Sequence, residues 1–110
     1  MLDVNIKIKP LSVNEAWKGK RFKSEAYKNY ENELLLMLPK KEIPLPPYEV
    51  HLTFGFSNKL SDFDNPVKPF IDVVQKKYNI NDRDIYRALI EKKNVDKGKE
   101  FVQLKIVTLK

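Results

Sequence analysis

Tyr48-Glu49-Val50-His51-Leu52-Thr53-Phe54-Gly55-Phe56 decides the fold class. Val50, Leu52, Phe54 and Phe56 alternate with Glu49, His51, Thr53 and Gly55, the period of a strand with one buried face and one solvated or covered face. After the polar turn Ser57-Asn58-Lys59-Leu60-Ser61, the residues Val67, Ile71, Val74 and Tyr78 recur at helical spacing, with Lys68 and Asp72 one turn apart on another face. Pro66 suits a first helical position, but Pro69 would then forfeit a backbone bond if Asn65 were the N-cap. The helix therefore begins later, or with an irregular turn. Asn79 and Asn81 mark its exit, and Ile85 to Ile90 reads as the next strand.

Working outward, Val4 to Lys9 alternates as a half-buried strand that ends at Pro10. Leu11 to Lys23 breaks the pattern and reads as a basic loop, with Lys18, Lys20, Arg21 and Lys23 around Gly19. From Ser24, an N-cap type, the positions Tyr27, Tyr30, Leu34 and Met37 or Leu38 predict an amphipathic helix that Pro39 stops. Pro44-Leu45-Pro46-Pro47 is a short stiff connector, Asp96-Lys97-Gly98 a turn, and Phe101 to Val107 a final strand. The order β-α-β-α-β-β implies one α/β (α+β) domain over residues 1–110, a small mixed sheet with two main helices.

Composition limits the chemistry. A chain of 110 residues buries about 65% of its unfolded surface, enough for one modest core. No apolar run approaches the ~20 residues a membrane span needs, and the alternating N-terminus is unlike a signal peptide, so a cytoplasmic protein is expected. With no Cys and one His, zinc sites, disulfide frameworks and thiol nucleophiles are excluded. Carboxylates, lysines and hydroxyls remain. The net charge of +6 favours polyanionic partners. Yet five of the seven aspartates (Asp62, Asp64, Asp72, Asp82, Asp84) fall between 62 and 84, so an acidic island sits in a basic protein.

Asp62 and Asp64, two apart and just ahead of a helix, can bring both carboxylates near one point. Asp82 follows that helix, and returns to them only if the strand after it lies beside the element that carries Asp62. Three carboxylates without histidine suit Mg²⁺ or Mn²⁺. The alternative is structural: Asp64 or Asn65 caps the helix and Asp62 is solvated. A calcium loop starting at Asp62 fails, because Pro66 and Val67 stand where an oxygen ligand and Gly are needed. An aspartyl-phosphate enzyme fails too, because Asn58-Lys59-Leu60-Ser61 is not a buried apolar strand. His51 reads as an ordinary strand histidine, and Trp17, Phe22 and Tyr27 as packing residues before base-stacking ones.

The combination Ser12-x-Asn14 with Trp17 and a basic loop, then Asp62-Phe63-Asp64-Asn65-x-x-Lys68-x-x-x-Asp72, then Asn81-Asp82, resembles the RusA-type Holliday junction resolvases over nearly the whole chain. The resemblance implies metal-binding carboxylates at Asp62, Asp64 and Asp82 and an essential lysine at Lys68, with Asn14, Asn65 and Asp72 in supporting positions. It also implies a bacterial or phage-encoded enzyme of DNA recombination and repair, a homodimer that cuts four-way DNA junctions with Mg²⁺. Lys18, Lys20, Arg21 and Lys23 would then meet DNA phosphates, and apolar surface on Tyr48 to Phe56 or on the final strand would form the dimer. The rival readings are a flap or general structure-selective nuclease, and a non-catalytic basic DNA-binding module.

Overall fold

In a computed structural model, residues 1–12, 17–18, 22–59 and 62–110 are described, the side chains of Trp17, Lys18 and Phe22 excepted. The chain runs β1 (Leu2–Ile6), β2 (Trp17–Lys18), β3 (Phe22–Lys23), α1 (Glu25–Met37), β4 (Tyr48–Phe56), α2 (Val67–Tyr78), a 3-10 turn (Asp82–Asp84), β5 (Ile85–Asn94) and β6 (Phe101–Thr108). It is an α+β domain: a mixed sheet ordered β1-β6-β4-β5, with a short β2-β3 ladder apart from it. The sheet and two main helices are those the sequence predicts. The two-residue strands β2 and β3 fall where it shows only a basic loop.

β4 is the central strand, parallel to β5 and antiparallel to β6. Its Val50, Leu52 and Phe54 are buried together with Val102, Leu104 and Ile106 of β6 and Leu2 and Ile6 of β1. Both helices cover that face. From α1 come Tyr27, Tyr30, Leu34 and, just past its end, Leu38; from α2 come Phe70, Ile71, Val73 and Val74. Phe54 and Phe70 meet edge to face, with centroids 5.9 Å apart. The opposite sheet face is polar, with Glu49, His51 and Thr53 half-buried. On that face Gly55 lies under the Phe101 ring, where a Cβ would come within 2.4 Å of the ring carbons, so only glycine fits unless the ring moves.

The helix boundaries follow local chemistry. Ser24 caps α1 by accepting from the Tyr27 N–H at 3.1 Å. At the start of α2, Pro66 is the N-cap, and the first i to i−4 bond is Phe70 N–H to Pro66 C=O at 3.3 Å. Pro69 thus stands third in the helix, where a backbone N–H would have no intrahelical partner, and costs nothing there. Asn79 closes α2 in the left-handed conformation, at φ 54° and ψ 46°.

Three expectations need adjustment. β1 spans Leu2–Ile6 and not 4–9, although Ile8 and Leu11 beyond it are still buried. β5 runs on to Asn94, because β4 continues to offer it a parallel partner as far as Phe56. Neither β4 nor β6 can supply a dimer surface through an open edge or apolar face, since both are interior strands with buried apolar faces. Among the described residues, no helix is long and apolar enough to cross a membrane.

Candidate functional site

β4 delivers the chain to Asp62 and Asp64, and α2 carries it away. The Asp64 carbonyl accepts from Val67 N–H at 3.2 Å, but no side chain caps the helix. Asp62 and Asp64 are both exposed, and neither carboxylate makes a hydrogen bond or ion pair with a described residue. Helix capping by the Asp64 or Asn65 side chain, the bland alternative, is not what these residues do. They present two hard oxygen donors, two residues apart, of the chemistry Mg²⁺ takes.

Lys68 starts a strip of polar side chains along α2. Its Nζ donates to Asp72 Oδ1 at 2.8 Å. Gln75 Nε2 donates to the same oxygen at 3.5 Å, and Tyr27 Oη, reaching over from α1, donates to Asp72 Oδ2 at 3.5 Å. Gln75 Oε1 in turn accepts from the Asp82 backbone N–H at 2.9 Å. The hydrogen bond to Asp72, aided by the charges of Asp72 and Asp82, pushes the Lys68 pKa up against partial desolvation. Lys68 is therefore a fixed cation at neutral pH. Burial first, then the nearby Asp72 and Glu31 charges, push the Tyr27 phenol up to about 12, so it stays a donor.

The structure thus brings Lys68, Asp72 and Asp82 to one strip and leaves Asp62 and Asp64 at its head. β5 does lie beside β4, as a return of Asp82 requires, but the parallel register sets Ile85 against Tyr48, the start of β4 and not its end. Asp82 is consequently beside the side chain of Gln75, a residue two turns into α2, and not at the helix start with Asp62 and Asp64. Among the described residues, no group of three His, Cys, Asp or Glu side chains is placed to hold a metal ion.

A second network braces the strip from behind. Glu31 of α1 accepts from Lys76 of α2 at 2.6 Å and from Lys23 of β3 at 2.8 Å. Those two hydrogen bonds, Lys23 first, hold its carboxyl below the ordinary range. Lys23 also sits 4.9 Å from the Tyr27 ring centroid. Further on, Lys77 Nζ donates to Leu35 C=O at 2.9 Å and Tyr78 Oη to Pro39 C=O at 2.7 Å. Partners on both helices rise in number together, so α1 and α2 run in the same sense. A buried Leu or Phe contributes about 1.5–3 kcal/mol, whereas an exposed ion pair contributes at most about 1 kcal/mol. Core packing therefore holds α2 in place, and the Lys68 pair is not needed for that.

At the end of β4 the chain passes a cleft of about 230 Å³ lined by Lys9, Pro10, Ser12, Phe56, Ser57, Asn58 and Glu100. Ser12 of the N-terminal motif is therefore brought next to the segment that leads into Asp62. Asn14, Lys20 and Arg21 lie outside the described residues, as does the Lys18 side chain. Lys23 is described, and its charge goes to Glu31. His51 accounts for itself on the polar face, with its Nε2 3.0 Å from Glu49 Oε2. Sequence reasoning takes Tyr27 as a core residue, with base stacking second, and passes over Gln75 and Glu31. Their partners are up to 45 residues away, and only the helix-on-helix packing joins them.

No protein-family model matches this chain, and a comparison with curated proteins finds no match either.

Proposed function

We propose that this protein is a Mg²⁺-dependent endodeoxyribonuclease that cuts branched DNA, with the four-way junction as its substrate, acting in the cytoplasm as a homodimer. The observation that carries the reading is the exposed Asp62 and Asp64 pair ahead of α2, which serves neither as a cap nor as an ion-pair partner to any described residue. In a chain of net charge +6, carboxylates with no structural task, a few residues ahead of a fixed lysine cation in the sequence, suit a metal-assisted attack on a phosphodiester.

Asp62 and Asp64 would hold Mg²⁺, or Mn²⁺ in its place; Asp82, which the fold sets beside Gln75, is not placed to join them within one chain. A Mg²⁺ ion held there would supply Lewis-acid chemistry, activating water and polarising the phosphodiester. Lys68 places its charge near the phosphate, where negative charge grows in the transition state. Asp72 orients that ammonium, and Tyr27 and Gln75 in turn hold Asp72.

Asp64→Asn tests this reading. Cleavage of a labelled junction should be lost while gel-shift affinity is equal or higher, because an amide is a weak Mg²⁺ ligand and repels phosphate less. Cleavage at the wild-type rate would remove Asp64 from the site.

A further inference from the structure

β5 is an edge of the main sheet, and it runs regularly from Arg87 to Asn94 beyond a bulge at Tyr86. One side pairs with β4, and among the described residues no strand pairs with the other. The strand is ten residues long, with no proline. Edge strands expose unpaired N–H and C=O groups and are usually kept short, bent or covered. This one also exposes Tyr86 at 70% and Leu89 at 53%, with Arg87, Ala88 and Glu91 exposed beside them. Leu89 stands opposite His51 on the polar face, and Tyr86 is the extra residue of a bulge between Ile85, opposite Tyr48, and Arg87, opposite Glu49.

The sequence of this strand is complementary to itself. When two copies pair antiparallel about a two-fold axis normal to the sheet, residues opposite each other lie on the same face, so the axis passes through a residue and not between two. With the axis at Leu89, Arg87 faces Glu91 of the second copy, and the same ion pair recurs on the other side of the axis. Leu89 meets Leu89 between these two pairs. On the other face Ala88 meets Ile90, and the regular pairing ends at Arg87, because the bulge at Tyr86 breaks the alternation there. An axis at Ile90 would set Arg87 against Lys93, which is repulsive. An axis at Ala88 would set Arg87 against Leu89 and Ile85 against Glu91, leaving both charges unpaired across the seam. Arg87 already donates to Glu49 at 3.1 Å, and the five N–H donors of guanidinium allow it to serve both carboxylates.

We infer that β5 is the self-association surface of this protein: a second copy adds its own β5 antiparallel, with Leu89 on the two-fold axis, to form one continuous eight-stranded sheet. The inference goes beyond the nuclease reading by assigning a surface to the pair. It takes the homodimer from that reading and adds its surface: a dimer left intact by the Arg87 and Glu91 variants refutes the surface alone, and cleavage by Asp64→Asn refutes the nuclease site alone.

Sedimentation equilibrium of the full chain at high micromolar concentration should give twice the 13.0 kDa chain mass. Arg87→Glu and Glu91→Arg should each reduce this to the mass of one chain, because each sets like charges opposite each other twice. An equimolar mixture of the two variants should return to twice the chain mass, since opposite charges then face each other at both positions. A monomeric wild type, variants that stay dimeric, or a mixture that stays monomeric overturns the proposal. Hydrogen exchange on the wild type gives a check that needs no variant: the outward β5 amides should lose protection on dilution. Equal exchange at high and low concentration overturns it as well.

Discussion

Lys68 Nζ lies 2.8 Å from Asp72 Oδ1, one helical turn along α2, with Tyr27 of the other helix touching the second oxygen of the same carboxylate. The pair is placed by the helix period, but its orientation is set by tertiary structure. Its lysine is 61% exposed, so its worth to stability is small.

Lys68→Ala should therefore leave stability within about 0.5 kcal/mol of wild type, as expected of an exposed helix position, while slowing junction cleavage about 10²–10³-fold, the scale of losing one electrostatic donor at a transition state. Lys68→Arg should recover little, because a planar fork and a compact ammonium meet a phosphate differently. Single-turnover rates at saturating protein separate the roles: full recovery of the alanine variant at saturation would make Lys68 a binding residue only.

Glu31 predicts a pH dependence of stability. Its folded pKa is lowered by hydrogen bonds from Lys23 and Lys76. The contribution is therefore complete above the unfolded value of about 4.3–4.5 and is lost as pH falls through the lower folded value. Urea midpoints should fall for wild type on acidification below about pH 4.5, and Glu31→Gln should flatten that part of the curve. Identical acid limbs for the two proteins would show that the Glu31 pairs contribute nothing to the fold.

Ser24 predicts a plain folding effect. Its side chain accepts the Tyr27 N–H at 3.1 Å, and Ser24→Ala should cost about 1 kcal/mol. The urea midpoint should drop with an unchanged slope. Since the next turn carries Tyr27, a change in the slope would mean that the cap also governs how α1 docks.

The strand Tyr48–Phe56 was legible because burial of one face imposes a period of two, and its observed bounds coincide with that alternation. Pro69 announced that α2 starts late, since proline is tolerated only in the first turn. Other features have no local signature. Phe70 is fully buried although the three-four spacing through Val67 and Ile71 passes over it, because α2 is enclosed on a wider arc than one stripe. Lys92 and Lys93 look like the end of β5, but a parallel partner carries the strand past them. Of the candidate site, the residue types at Asp62, Asp64, Lys68, Asp72 and Asp82 were legible as a pattern. The joining of Asp72 to Tyr27, and the placing of Asp82 beside Gln75, depend on which helices pack together and on the sense in which β5 pairs.

The central claim is that this small basic domain hydrolyses branched DNA with a metal ion held by Asp62 and Asp64. The most direct measurement is incubation of the purified chain with an end-labelled four-way junction, a linear duplex and a single strand, each with Mg²⁺ and with chelator. Paired incisions are expected in the junction only, and only with Mg²⁺, while gel-shift binding to the junction persists in chelator. Binding without cleavage in Mg²⁺ and Mn²⁺ alike would contradict the central claim and leave a non-catalytic DNA-binding module, and equal cutting of all three substrates would contradict the junction assignment.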